Sequence, residues 1–240
     1  MDTELAPMPL VLMYHSVEAY DQDPYQVTVH PHRFGRQLRW LRRRGLRGVA
    51  MSELLRARRE GRADRLVGLT FDDGYGDFAT EVLPALRAYG WTATVFVVAG
   101  ALVRHNSWDE PGPRKPLMTA EQVRRVAAEG VEIGSHSLAH VRLPEVSAAR
   151  LAEEVGRSRS ALAELTGGPV DGFCYPYGSF GAREVEAVRA AGYGYACAVG
   201  RSVLSGPHAV PRTFVGDRDG SARLLAKVVR HRLTIGRGVR

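Results

Sequence analysis

Only two cysteines, Cys174 and Cys197, occur in 240 residues. They are too few for a disulfide framework or a cysteine zinc site, and each lies in a strand-like run where cysteine serves as a small buried residue. Lysine is almost missing: of 33 cationic side chains, only Lys115 and Lys227 are lysines. No apolar run approaches the roughly 20 residues of a membrane-spanning helix. The opening stretch MDTELAPMPLVLMYHSV has no basic region ahead of its short apolar segment, unlike a signal peptide. As the sequence stands, the expectation is a cytoplasmic chain with no membrane span.

What is present is ordinary for a globular fold: 45% apolar and 25% charged residues, enough for one domain with a substantial core. The net charge is +7, gathered in RWLRRRGLR (39–47), RARREGR (56–62) and the tail RHRLTIGRGVR. Each cluster has leucine or tryptophan at helical spacing, which reads as the solvated face of an amphipathic helix. Because the clusters lie on separate helices, no nucleic-acid partner is expected. Oligomeric state has no signature in the sequence.

Strand-like runs recur at 10–17, 46–51, 66–73, 92–100, 130–137, 172–178, 193–199 and 208–215. Most are apolar on both faces, as strands covered on both sides are. Helical patterns lie between them, such as TAEQVRRVAAEG, whose Thr119 and Gln122 have capping-box spacing. Alternation of this kind implies an α/β fold with a parallel sheet, and about seven units suit a barrel. A single domain over 1–240 is expected, with its core at about 8–216 and a basic helical tail at about 220–240. The proline-bearing stretch 104–119 reads as a loop over one barrel end.

Functional residues of parallel α/β folds collect at strand carboxyl ends. Here four runs end in polar or irregular groups: Tyr14-His15-Ser16, Asp72-Asp73-Gly74, His136 with His140, and Pro176-Tyr177-Gly178. Carboxylates buried at a strand end are costly unless a cation or proton compensates them. Alone, Asp-Asp-Gly could be a helix cap and turn, and HSLAH a pair of surface imidazoles on one helical turn. Together, one aspartate and two histidines supply the three ligands of a catalytic zinc, and the second aspartate stands where a general base belongs.

TFDDG (70–74), HSLAH (136–140) and YPYG (175–178), in this order, resemble the motifs of polysaccharide deacetylases of carbohydrate esterase family 4. The resemblance runs from LMYHSV to about Val215. It implies a distorted (β/α)7 barrel and metal-assisted removal of acetyl groups from sugars. By position, Asp73, His136 and His140 would hold a divalent ion, zinc in the first instance, and Asp72 would be the base. The backbone N–H of Tyr177 would help bind the oxyanion. MYHSV resembles the subgroup of poly-β-1,6-N-acetylglucosamine deacetylases, in which the acid histidine comes from the N-terminal strand, so His15 becomes the expected acid.

Two features depart from the family pattern. Its third motif carries an arginine that orients the catalytic aspartate, whereas Cys174 stands here; Arg212, in VPRTFV, is the candidate substitute. The C-terminal leucine–histidine motif is missing, and His231 is a poor replacement. Trp108, Leu143 and Tyr175 are candidates for the acyl or sugar pocket. The expected activity is N-deacetylation of N-acetylglucosamine-type glycans or sugar precursors, with O-acetyl esterase and silent carbohydrate-binding barrel as rivals.

Overall fold

Short runs of β-branched and aromatic residues alternate with amphipathic helical stretches, and the computed structural model, which describes residues 7–200, 204 and 206–235, turns this alternation into a curled parallel sheet wrapped by helices. In chain order the elements begin with β1 (Val11–Tyr14), β2 (Ser16–Val17), β3 (Thr28–Val29), α1 (Pro31–Arg43), β4 (Arg47–Val49), α2 (Met51–Arg59) and β5 (Leu66–Phe71). A helical turn over Phe78–Val82 leads into α3 (Leu83–Arg87), followed by β6 (Thr94–Val97), α4 (Ala120–Ala128) and β7 (Glu132–Ser135). Then come α5 (Ala148–Thr166), β8 (Gly172–Cys174), α6 (Ala182–Ala190), β9 (Tyr195–Cys197), β10 (Thr213–Phe214) and α7 (Ser221–Ile235). Residues 236–240 of the expected tail lie outside the described residues.

The sheet runs β10-β1-β5-β6-β7-β8-β9, with β4 pairing the first half of β5, and every pairing is parallel. Its two ends approach where Val210, just ahead of β10, bridges Cys197 of β9. Strand carboxyl ends therefore meet at one rim, as the strand-and-helix alternation implies. The strands are shorter than their apolar runs: the 208–215 run, for example, is strand only at Thr213–Phe214. The residues past each strand end turn into the rim instead.

Helix signals in the sequence are used as written. Thr119 and Gln122 form a reciprocal capping box on α4, and Ser147 caps α5. Outside the sheet, Tyr14 stacks on Phe71 at 5.2 Å and Phe78 meets Phe71 edge-on at 5.1 Å. Inside it, Phe96, Cys174, Tyr195 and Cys197 fill the barrel. Glu132 lies among them and accepts from Thr94 Oγ1 at 2.7 Å and Tyr195 Oη at 2.8 Å, which satisfies its carboxylate.

Gly134 on β7 lets Phe96 lie flat against the backbone, since a Cβ there would come within 2.4 Å of the ring. Phe96 is wholly buried and cannot swing away. Gly134→Ala should therefore destabilise the fold by about 1–3 kcal/mol, the usual cost of overpacking. Chemical denaturation of the two proteins measures this, and equal midpoints would contradict the packing described.

Candidate active site

The rim is built by extending strands one residue beyond their ladders. Asp72 N–H donates to the Tyr14 carbonyl at 3.0 Å, and His136 N–H to the Val97 carbonyl at 2.8 Å. The chain then turns sharply, with Asp73 (φ 69°), Ser137 (φ 66°), His140 (φ 54°) and Tyr177 (φ 58°) all in the left-handed region. Non-glycine residues adopt that conformation at a cost, and such strain gathers at functional sites. His136 and His140 are thus brought together by an irregular loop, which corrects the helical turn expected from their spacing.

Asp73 Oδ1 lies 3.3 Å from Nε2 of both His136 and His140. All three side chains are buried, and no donor reaches Asp73 Oδ1 with hydrogen-bond geometry. His136 Nδ1 is 2.8 Å from the Cys174 carbonyl. A carbonyl only accepts, so Nδ1 carries the hydrogen and, in the neutral ring, Nε2 presents a bare lone pair to Asp73. The His136 and Asp73 acceptors, buried and facing one another, need something positive between them. Their ligating atoms lie within 4.8 Å of one another, so the donor set fits a divalent ion of the zinc class. Burial opposes the charge on Asp73, while the two imidazoles hold its carboxyl well below the usual range.

Asp72 is treated differently. Arg212, immediately before β10, clamps it with Nη1 at 2.6 Å from Oδ1 and Nη2 at 2.8 Å from Oδ2. The remaining guanidinium hydrogens go to Thr70 Oγ1, Cys174 Sγ and the Ala198 carbonyl. All five donors of a fully buried arginine are thereby satisfied. Burial would raise the Asp72 carboxyl, but the Arg212 guanidinium outweighs it and draws the pKa below the ordinary value. Asp72, His136 and Cys174 also lie close enough to share an ion. The Arg212 cation touching both Asp72 and Cys174 disfavours a second cation there.

His15 follows β1, with its ring 6.2 Å from Phe214 and its buried Nδ1 without a partner. It stands near enough for its charge to act on both Asp72 and Asp73. Tyr177 N–H faces no backbone acceptor in its turn, whereas Gly178 and Ser179 N–H donate to Tyr175 and Pro176 carbonyls. The Tyr177 ring packs edge-on to His140 at 4.6 Å, and Trp108 stacks on His140 at 4.3 Å.

The family model described as polysaccharide deacetylase matches residues 59–196, more than half of the chain. The chain belongs to that family. The Bacillus subtilis (strain 168) protein YxkH is 26% identical over 76% of this chain and 61% of its own length. The poly-beta-1,6-N-acetyl-D-glucosamine N-deacetylase of Escherichia coli (strain K12) is 34% identical over 53% of this chain and 20% of its own. The chain thus spans less than two thirds of each of these curated relatives. Among solved structures, the Streptococcus pyogenes deacetylase PplD in complex with acetate superposes with a TM-score of 0.78 at 21% identity, covering 94% of this chain and 99% of that one. IcaB from Ammonifex degensii gives 0.76 at 24% identity, covering 93% and 98%. At these identities the structural likeness speaks for the shared fold.

Within this family member, Asp72, Asp73, His136, His140, His15, Tyr177, Trp108 and Arg212 gather at one rim. Leu143 and Tyr175 do not present a face to it. Both are fully enclosed, Tyr175 stacked on Phe180 at 4.2 Å with its hydroxyl donating to the His208 carbonyl. Their side chains pack in the core beneath the rim. His231 approaches the Met8 carbonyl at the strands' amino ends, away from the rim.

Several supporting residues escape a reading of the sequence. Glu154, wholly buried on α5, accepts from Leu138 and Ala139 N–H at 2.9 Å each and fixes the histidine loop. Ser137 Oγ accepts from His140 N–H at 3.0 Å. Lys115, reaching in from the 104–119 loop, donates to Ser16 Oγ at 3.0 Å and Thr28 Oγ1 at 2.8 Å and pairs with Glu18. Ser16 in turn donates to Asp77 at 2.5 Å, so the residue after His15 is held from two sides.

Burial lifts the Asp77 carboxyl to about 6. A carboxyl raised on folding binds its proton more tightly in the native state. Its stabilising contribution is full below the unfolded value and is lost as pH rises through the folded one. Wild type should therefore lose roughly 2–3 kcal/mol more stability than Asp77→Asn on going from acid to neutral pH. Urea unfolding of both proteins at each pH measures the difference; equal losses would mean that the carboxylate is solvated.

Proposed function

We propose that the chain hydrolyses N-acetyl groups of N-acetylglucosamine-type glycans or sugar precursors and releases acetate. The observation that carries this reading is the buried Asp73–His136–His140 set, beside a carboxylate that arginine clamps. A divalent ion, zinc in the first instance, held by Asp73, His136 and His140 would polarise the acetyl carbonyl and lower the pKa of water.

The chain's own residues supply the rest. Asp72, clamped on Arg212 and below its ordinary pKa, accepts a proton from the attacking water. Arg212 acts through Asp72, holding its orientation and charge where the family's usual arginine is replaced by Cys174. Tyr177 N–H donates to the carbonyl oxygen as negative charge grows there. His15 gives a proton to the departing nitrogen as the C–N bond breaks. Trp108 and Tyr177 flank His140 and offer ring faces and edges to a sugar at the mouth. The poly-beta-1,6-N-acetyl-D-glucosamine specificity in the Escherichia coli relative's name makes β-1,6-linked oligomers the first substrate to try.

Acetate release from N-acetylglucosamine oligomers tests the reading. Activity should vanish with chelator and return with zinc. His15→Ala should lower kcat by about 100-fold or more on the amide, as loss of a general acid does. It should lower turnover far less on an aryl acetate, whose leaving group needs no proton. Chelator-insensitive acetate release would overturn the metal assignment. An unaffected His15→Ala would remove that residue as the acid.

A further inference from the structure

α7 has two apolar faces and uses one of them. Leu224 is buried and Val228 packs against the core. On the other side Leu225, Val229 and Leu233, at i, i+4 and i+8, are 40%, 46% and 63% exposed. Arg230 and Arg232 stand exposed beside this stripe, and no acidic residue occurs from Ser221 to the end of the sequence. α1, whose 13 residues also contain no acid, packs against α7. Its exposed Arg36, Arg39 and Arg43 line a cleft of about 330 Å³ together with Trp40 and Ser221 of α7. No carboxylate pairs with these three arginines among the described residues, whereas Arg47 and Arg150 have theirs. The fold thus joins two basic clusters that are separate in the sequence.

We infer that this α7–α1 face docks on the surface of an anionic lipid bilayer, with the leucine and valine side chains entering the headgroup boundary and the arginines meeting lipid phosphates. A leucine stripe rimmed by arginine is the pattern of interfacial helices. No helix among the described residues is long and apolar enough to cross a membrane, so the contact is peripheral. A second copy of the chain is a poorer occupant, because it would set arginine against arginine. Three side chains also fall short of the roughly 800 Å² per partner that a stable interface buries. A soluble polyanion would use the arginines and leave the leucines idle.

Co-sedimentation of the full chain with vesicles tests this, using phosphatidylcholine alone and phosphatidylcholine mixed with phosphatidylglycerol. Binding should be at least about ten-fold stronger to the mixed vesicles. The double variant Leu225→Ser, Leu233→Ser should lose about ten-fold of it while its thermal unfolding stays unchanged, since both side chains are exposed. Absence of binding to mixed vesicles would overturn the proposal. So would binding that salt weakens but the double variant does not, which is the behaviour of a polyanion site. Dimerisation in solution abolished by the double variant would assign the stripe to a second copy instead.

Discussion

Asp73 Oδ1 and the Nε2 atoms of His136 and His140 are three buried polar atoms that converge at 3.3 Å without a hydrogen bond of proper geometry on Asp73 Oδ1. Much of the rim is arranged to hold that unfavourable convergence in place. The Cys174 carbonyl fixes the tautomer of His136, Glu154 and Ser137 fix the loop that carries His140, and Asp73 and His140 themselves sit in left-handed conformations. Without a cation such a set leaves buried polar atoms whose desolvation is not fully met. That imbalance argues for an ion more directly than the identity of the residues does.

Adjacent carboxylates meet opposite fates because successive residues point in different directions. Asp73 turns toward the imidazoles. Asp72 turns toward Arg212, whose five N–H groups are all taken. The guanidinium both neutralises and orients Asp72, leaving no room for a second ion between Asp72 and Cys174. Phe96 lies under Arg212, 5.6 Å from its guanidinium carbon, and Gly134 lets Phe96 lie there. Packing in the barrel interior is thereby linked to the direction in which Asp72 faces.

The parallel barrel was legible because strand-like runs alternate with capped helices, and the rim was legible because polar groups close those runs. Arg212 was legible only as a gap to be filled: the resemblance implies an arginine at the position where Cys174 stands, and an arginine lies within the later strand-like run 208–215. The spacing of the histidine pair suggests a helical turn, whereas a loop aligns the two rings. Glu154 was hidden because its burial depends on where α5 lands. Lys115 was hidden in the same way inside a polar loop. For Tyr175 and Leu143 the sequence gives no sign of their burial, because an aromatic or aliphatic residue beside a motif does not show which way it points.

The most direct test of the ion site is anomalous scattering from crystals of the chain grown with zinc. The account predicts one strong peak within about 2.0–2.2 Å of Asp73 Oδ1 and of both imidazole Nε2 atoms, the bond lengths of zinc to oxygen and nitrogen ligands. Asp72 should remain on Arg212. An ion held by Asp72 and Cys174 instead, or no ion at the three ligands at saturating zinc, would contradict it.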